Sequence, residues 1–208
     1  MTIFNDRRDA GERLAERLSK YKGEDAIILA LPRGGVVLGY EIAQALNLPL
    51  DIVVVRKIGH PTNPEYAIGA VDERGSFLYN EAETISIDQD WLKEETLRQK
   101  NEALRRIQVY RGGRKEKEIN GKIVILVDDG IATGLTIRAA IKAIRQKNPK
   151  KLIVAVPVAP HETVTELRKE TDAVVVLDDT QNYLGAVGAY YEYFPQVSDE
   201  EVIELLKR

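Results

Sequence analysis

The run Val124-Ile-Leu-Val127, followed at once by Asp128-Asp129-Gly130 and then by Ile137, Ala140, Ile141 and Ile144 at helical spacing, constrains this fold most. Consecutive β-branched and leucyl residues without polar alternation describe a strand covered on both faces, the habit of parallel sheets. A strand that runs straight into an amphipathic helix implies a return strand beside the first. The alternation recurs along the chain. Residues 26–31 read as a strand broken by Pro32-Arg33-Gly34-Gly35, with a helix to about Leu46 and a second apolar strand over 50–55. Downstream come a strand at 152–158, a short helix over 162–169 and a strand at 173–177. The expected fold is a three-layer α/β/α sandwich with a mostly parallel sheet. In it the first strand neighbours the 124–127 strand, and their connections leave in opposite directions. Ligands sit at such a switch point, outside the carboxyl ends of the strands.

The remaining segments fill out the domain. Residues 6–21 form an amphipathic helix with Ala10, Leu14, Leu18 and Tyr21 on one face. Residues 66–71 and 76–79, around Asp72-Glu-Arg-Gly75, look like a hairpin, and a charged helix from about Asp88 to Tyr110 stops at Arg111-Gly-Gly-Arg114. Near the end Ser198 and Glu201 form a capping box, with Val197 and Val202 placed as its hydrophobic staple, so the last helix begins at Asp199. The expectation is one domain over 1–208, with the hairpin and charged helix inserted at about 60–118.

Composition excludes several classes. A net charge of -3 over 208 residues, without a long basic block, argues against nucleic acid as a partner. There is no cysteine, hence no disulfide scaffold and no thiolate metal site. No apolar run is long enough to cross a bilayer, and Met-Thr-Ile-Phe-Asn-Asp-Arg-Arg lacks a signal peptide's apolar core, so a cytoplasmic protein with no membrane partner is expected. Of the two histidines, His60 reads as a surface residue and His161 as local structure ahead of a helix, so neither suggests a metal site.

Chemistry concentrates after Val127. Ala132, Thr133, Gly134 and Thr136 are small or hydroxylic, and a helix starting near Thr133 offers N–H groups without internal partners at the positive end of its dipole. That is a seat for a phosphate. The two carboxylates just upstream would repel a phosphate but suit the hydroxyls of a sugar that carries it. A sugar phosphate is the expected ligand. Neighbouring side chains on a regular strand point to opposite faces, so both carboxylates reach one ribose only if the chain leaves the strand at Asp128.

The whole segment resembles the phosphoribosyl pyrophosphate (PRPP) signature of type I phosphoribosyltransferases: an apolar strand, two acidic residues, two variable positions, then Ala or Asp, Thr-Gly and a second hydroxyl residue. The chain is similar over nearly its whole length to a little-characterised group within that family. The resemblance implies transfer of the 5-phosphoribosyl group from PRPP to a nitrogen base, with release of pyrophosphate and inversion at the anomeric carbon. Mg2+ would be held by PRPP and water rather than by protein side chains. By resemblance, Asp128 and Asp129 hold the ribose hydroxyls, and Ala132, Thr133, Gly134, Leu135 and Thr136 grip the 5-phosphate. Arg33 and Gly34 form the pyrophosphate loop. Lys57, in Arg56-Lys-Ile-Gly-His-Pro61, looks like the basic residue that meets pyrophosphate in adenine-type enzymes. Asp128, Asp129, Arg33 and Lys57 are thus the expected catalytic set.

Other positions define the base side and the rim. Ala132 replaces the Asp of hypoxanthine-type enzymes and no purine-reading Lys stands at Val156-Pro157, which points away from 6-oxopurines. Ile131 and Tyr190 are the base-side candidates; the aromatics of 186–194 suit base stacking or packing of the tail helix equally. His60 and Glu65 fall in a Gly/Pro-rich candidate lid, and Arg111, Arg114, Lys115 and Lys117 are an accessory anion lid or a solvated helix end. The family is commonly dimeric, and a homodimer is expected. The alternative to an enzyme is a PRPP-sensing regulator of the same fold, which the acidic pI near 5.6 disfavours.

Overall fold

The computed structural model describes residues 3–72 and 74–207; Glu73 of the expected turn and the side chain of Glu65 in the candidate lid lie outside the described residues. Strands β1 (Ala26–Ala30), β2 (Leu50–Ile52), β6 (Ile123–Val127), β7 (Lys151–Pro160) and β8 (Ala173–Thr180) make a five-stranded sheet in the order β2-β1-β6-β7-β8. Every pairing in it is parallel. β1 and β6 are buried at every residue, as expected of strands covered on both faces.

Two helical layers provide that cover, and the pleat assigns the side chains to them. Ile28, Ile123, Ile125, Val127, Ile153 and Ala155 pack under α1 (Arg7–Arg17) and α2 (Gly34–Leu46). The alternate residues Ile27, Leu29, Val124, Leu126, Leu152 and Val154 pack under α5 (Leu135–Arg145) and α6 (His161–Glu170). The chain is an α/β/α sandwich with a parallel central sheet. The connection through α2 carries the chain from β1 outward to β2, and the connection through α5 carries it from β6 the other way to β7. β1 and β6 are therefore the switch point.

A second, antiparallel sheet joins β3 (Val55–His60), β4 (Asn63–Asp72) and β5 (Phe77–Tyr79). It packs on α5 and on the long helix α4 (Gln89–Arg111), which follows the short α3 (Glu81–Thr84). Here the sequence expectation needs correction. The second apolar strand does not run through 50–55: β2 stops at Ile52, Val53 and Val54 turn into different core clusters, and the chain enters the second sheet at Val55. The Gly/Pro stretch after Lys57, the candidate lid, completes β3 and begins β4.

The tail matches its local chemistry. α7 (Asp199–Lys207) starts where Ser198 Oγ accepts from the Glu201 N–H at 3.1 Å, and Val197 and Val202 lie in one buried cluster with residues of α2 and α4. Among the described residues no helix is long and apolar enough to cross a membrane.

Candidate functional site

Two turns meet at the carboxyl ends of β1 and β6. The Leu31 N–H donates to the Val127 carbonyl at 2.9 Å, so pairing continues to the last residue of β6 and both chains then leave the sheet together. The Pro32–Arg33 peptide is cis. A Cβ on Gly35 would stand 2.8 Å from the Val127 carbonyl oxygen and 2.9 Å from the Asp128 Cα. Only a glycine lets α2 start so close to the end of β6. The Arg33-Gly34-Gly35 turn and the Asp128-Asp129 pair therefore share one place.

Beyond β6 the chain wraps a cavity of about 200 Å³ lined by Asp128, by Gly130, Ile131, Ala132, Thr133, Gly134, Thr136 and Ile137, and by Val187. The Ile131 N–H donates to the Val158 carbonyl at 2.9 Å, which ties the turn to β7. Gly134, at φ +80°, is the residue ahead of α5, and no side chain caps this helix end. The helix thus begins two residues later than Thr133, because the left-handed Gly134 redirects the chain. Arg138 donates the first internal bond, to the Gly134 carbonyl at 3.0 Å. The N–H groups ahead of it lie at the positive end of the helix, beside the small residues of the turn. This arrangement can take an anion on backbone donors, with a carboxylate at the opposite edge for hydroxyl groups.

The two aspartates divide. Asp128 faces the cavity, whereas Asp129 Oδ2 accepts from Arg7 Nε at 2.8 Å and its N–H donates to Asp128 Oδ1 at 2.9 Å. The chain does leave the strand at Asp128, but the bend sends the second carboxylate toward α1, so both do not line the cavity as the sequence suggested. Burial, and then the adjacent Asp129 carboxylate, raise the Asp128 pKa well above the ordinary carboxylate value. Burial raises Asp129 as well, opposed by Arg7. The Tyr191 hydroxyl donates to the Asp129 carbonyl at 2.6 Å.

Arg33 stands at the start of α2 with Nη1 3.6 Å from Asp199 Oδ1. The Tyr110 hydroxyl donates to the same oxygen at 2.7 Å; burial and this bond push the Tyr110 pKa up to about 12. Gly34 and Leu135 flank the cavity without lining it. Lys57 is displaced from its expected position. Because β2 ends early, Lys57 belongs to β3, opposite Ala70, and lines a separate cavity of about 230 Å³ with Arg56, Trp91, Glu95 and Arg98.

Tyr190 also requires correction. It is fully buried, its ring stacks on Tyr183 at 5.7 Å between centroids, and its hydroxyl accepts from the Leu184 N–H at 3.0 Å, so it presents no face to a base. Arg111 and Arg114 are structural rather than a lid. Arg111 holds the buried Asp51 at 3.1 and 3.3 Å, and Arg114 bonds the carbonyls of Tyr110 and Leu206. His60 is half-buried beside Thr62, and His161 pairs with Asp179 at 2.9 Å. Among the described residues no three His, Asp or Glu side chains converge as a metal site.

Arg7 and Val187 were not anticipated. The signal for Arg7 was its position on the apolar stripe of the first helix, one turn before Ala10 and Leu14, where a guanidinium needs a buried partner. Val187 carried no local signal.

Comparison with known proteins gives the family. A phosphoribosyl transferase domain family matches residues 3–193. Proteins from two strains of Mycobacterium tuberculosis, provisionally named phosphoribosyl transferases, are each 40% identical over 210 residues, taking in 100% of this chain and 47% of theirs. The chain spans about half the length of these curated relatives. The crystal structure of TT1426 from Thermus thermophilus is similar with a TM-score of 0.83 at 43% identity, covering 99% of this chain and 98% of that one. The chain belongs to the phosphoribosyl transferase family.

Proposed function

We propose that this chain is a phosphoribosyltransferase that takes PRPP, accompanied by Mg2+, and transfers its 5-phosphoribosyl group to a nitrogen base with release of pyrophosphate. One observation carries the reading. A carboxylate, a glycine-turned helix start and a second turn bearing Arg33 all meet at the switch point between β1 and β6. In this reading the 5-phosphate sits on the backbone of 132–136, within reach of the Thr133 and Thr136 hydroxyls. Asp128 accepts from a ribose hydroxyl, and Asp129 supports it from behind. Arg33 and the Gly34 turn receive the pyrophosphate as negative charge builds on it. Positive charge develops at the same time on the anomeric carbon, so catalysis is positioning and electrostatic stabilisation. Magnesium bound with the substrate would neutralise part of the pyrophosphate charge. Lys57 remains a pyrophosphate candidate on family resemblance, and Ile131, on the cavity wall, is the base-side candidate. A cytoplasmic homodimer belongs to the same proposal.

The test is to incubate the protein with Mg-PRPP and a panel of purine and pyrimidine bases and to measure pyrophosphate, with Asp128→Asn/Asp129→Asn as control. Base-dependent release by the wild type and none by the double variant is expected. Equal release by both would overturn the assignment of the aspartates. PRPP binding without release by any base would favour a sensing protein instead.

A further inference from the structure

The Arg7–Asp129 pair is built unlike a surface ion pair. Arg7 has a side chain only 10% exposed, and three groups engage it: Asp129 Oδ2 at 2.8 Å from Nε, the Pro195 carbonyl at 2.6 Å from Nη1, and the Phe194 ring 3.7 Å beneath the guanidinium carbon. Burying a guanidinium is costly unless carboxylate, carbonyl and ring all compensate for lost water, as they do here. The backbone around it is equally fixed. Phe4 N–H donates to the Tyr190 carbonyl at 2.8 Å, Glu192 N–H to the Phe4 carbonyl at 2.8 Å and Tyr193 N–H to the Asn5 carbonyl at 2.9 Å. Asp6 caps α1 immediately before Arg7.

The pair also bears on the other turn. A Cβ built on Gly34 would fall 1.8 Å from Asp129 Oδ2 and 2.9 Å from Arg7 Nε, so the ion pair rests directly on the Gly34 backbone. Arg7 thus touches, through Asp129, both halves of the site. Without it the Asp129 carboxylate would lose its paired guanidinium while standing beside Asp128, and two adjacent half-buried carboxylates cannot both keep charge and position.

We propose that Arg7 is a positioning residue: it holds the Asp129 carboxylate against the Gly34 turn and thereby fixes the acidic pair relative to the Arg33 turn. This inference rests on the transferase reading above. A mere staple between the amino-terminal and carboxyl-terminal segments would change stability; a positioning residue changes the rate of the chemical step in protein that is still folded.

The experiment compares R7M, R7K, D129N and R7M/D129N in steady-state kinetics with Mg-PRPP and the accepting base, with thermal unfolding of each. In R7M, kcat should fall about 100-fold, the scale of a small misplacement of catalytic groups. KM for PRPP should move less than about threefold, since ground-state binding is kept. R7K, which keeps the charge but not the fork, should recover part of kcat. R7M/D129N should be no slower than D129N, because both changes remove one interaction. The double variant leaves neither member of the ion pair without its partner, so it serves if R7M fails to fold. A folded R7M with wild-type kcat, a folded R7K no faster than R7M, or losses that multiply in the double variant would each overturn the inference. No turnover by the wild type with any base would overturn the transferase reading and this inference together; wild-type turnover with an unimpaired R7M would overturn this inference alone.

Discussion

The turn after β6 and the layer formed by β3 and α4 both gather polar residues, but they use them in opposite ways. In the turn, small residues and a left-handed Gly134 leave backbone donors and the Asp128 carboxylate facing a cavity. In the β3 and α4 layer the side chains bind one another: Arg98 to Glu95, Arg105 and Arg106 to Glu102, and Arg56 to the Gln99 amide. At the end of α4, Arg111 is spent on Asp51. A binding seat made by the backbone keeps its donors free because the helix cannot use them. The cations of this layer are held by neighbouring carboxylates, by a side-chain amide and by backbone carbonyls. The number of basic residues in a segment therefore says little about where anions bind.

This division between the two regions is most exposed to refutation at Arg111. If it is structural, R111M strands the buried Asp51 carboxylate and should cost about 3–5 kcal/mol in urea unfolding, while protein that remains folded keeps its turnover. A stable R111M with impaired turnover would return this segment to the site. On the other side, D128N should reduce pyrophosphate release by on the order of 100-fold or more with little loss of fold, since it removes a preorganised acceptor. Retained release would move the chemistry away from the turn. A weaker change is expected at Gly134. G134A forces a Cβ into the left-handed region, at about 1–2 kcal/mol, and to 3.0 Å from Thr163 Cγ2. Calorimetric affinity for PRPP should fall about tenfold with it; unchanged affinity would mean that this helix start does not hold the phosphate.

The mildest consequence is a dependence on pH. A carboxyl whose pKa is raised by folding binds its proton more tightly in the folded state. Wild-type stability is therefore lost as pH rises from the ordinary carboxylate value, about 4, through the raised value of Asp128. D128N carries no such penalty. Its stability relative to wild type should grow across that window and level off above it, as read by thermal melts at stepped pH. A constant difference between the two proteins would mean that Asp128 is not destabilised by burial.

What was legible in the sequence follows the same division. The β6 strand, its turn, α2 and the capping of α7 depend on neighbours a few residues apart, and local chemistry located them. The break at Ile52 was not legible, because Val53 and Val54 continue the apolar run and only their burial in different clusters ends the strand. Arg7 and Asp129 are 122 residues apart, so their pairing exists only after the fold brings the start of α1 beside the turn that follows β6. The aromatics of 186–194 suit base stacking or packing of the tail helix equally in the sequence; Tyr190 packs on Tyr183 and accepts from Leu184, and neither contact is visible as a pattern.

The decisive measurement is a calorimetric titration of Mg-PRPP into the wild-type protein and into Asp128→Asn/Asp129→Asn. A PRPP seat at the β6 turn requires saturable one-site binding to the wild type and at least about tenfold weaker binding to the double variant. No binding to the wild type, or equal binding to both, would contradict it.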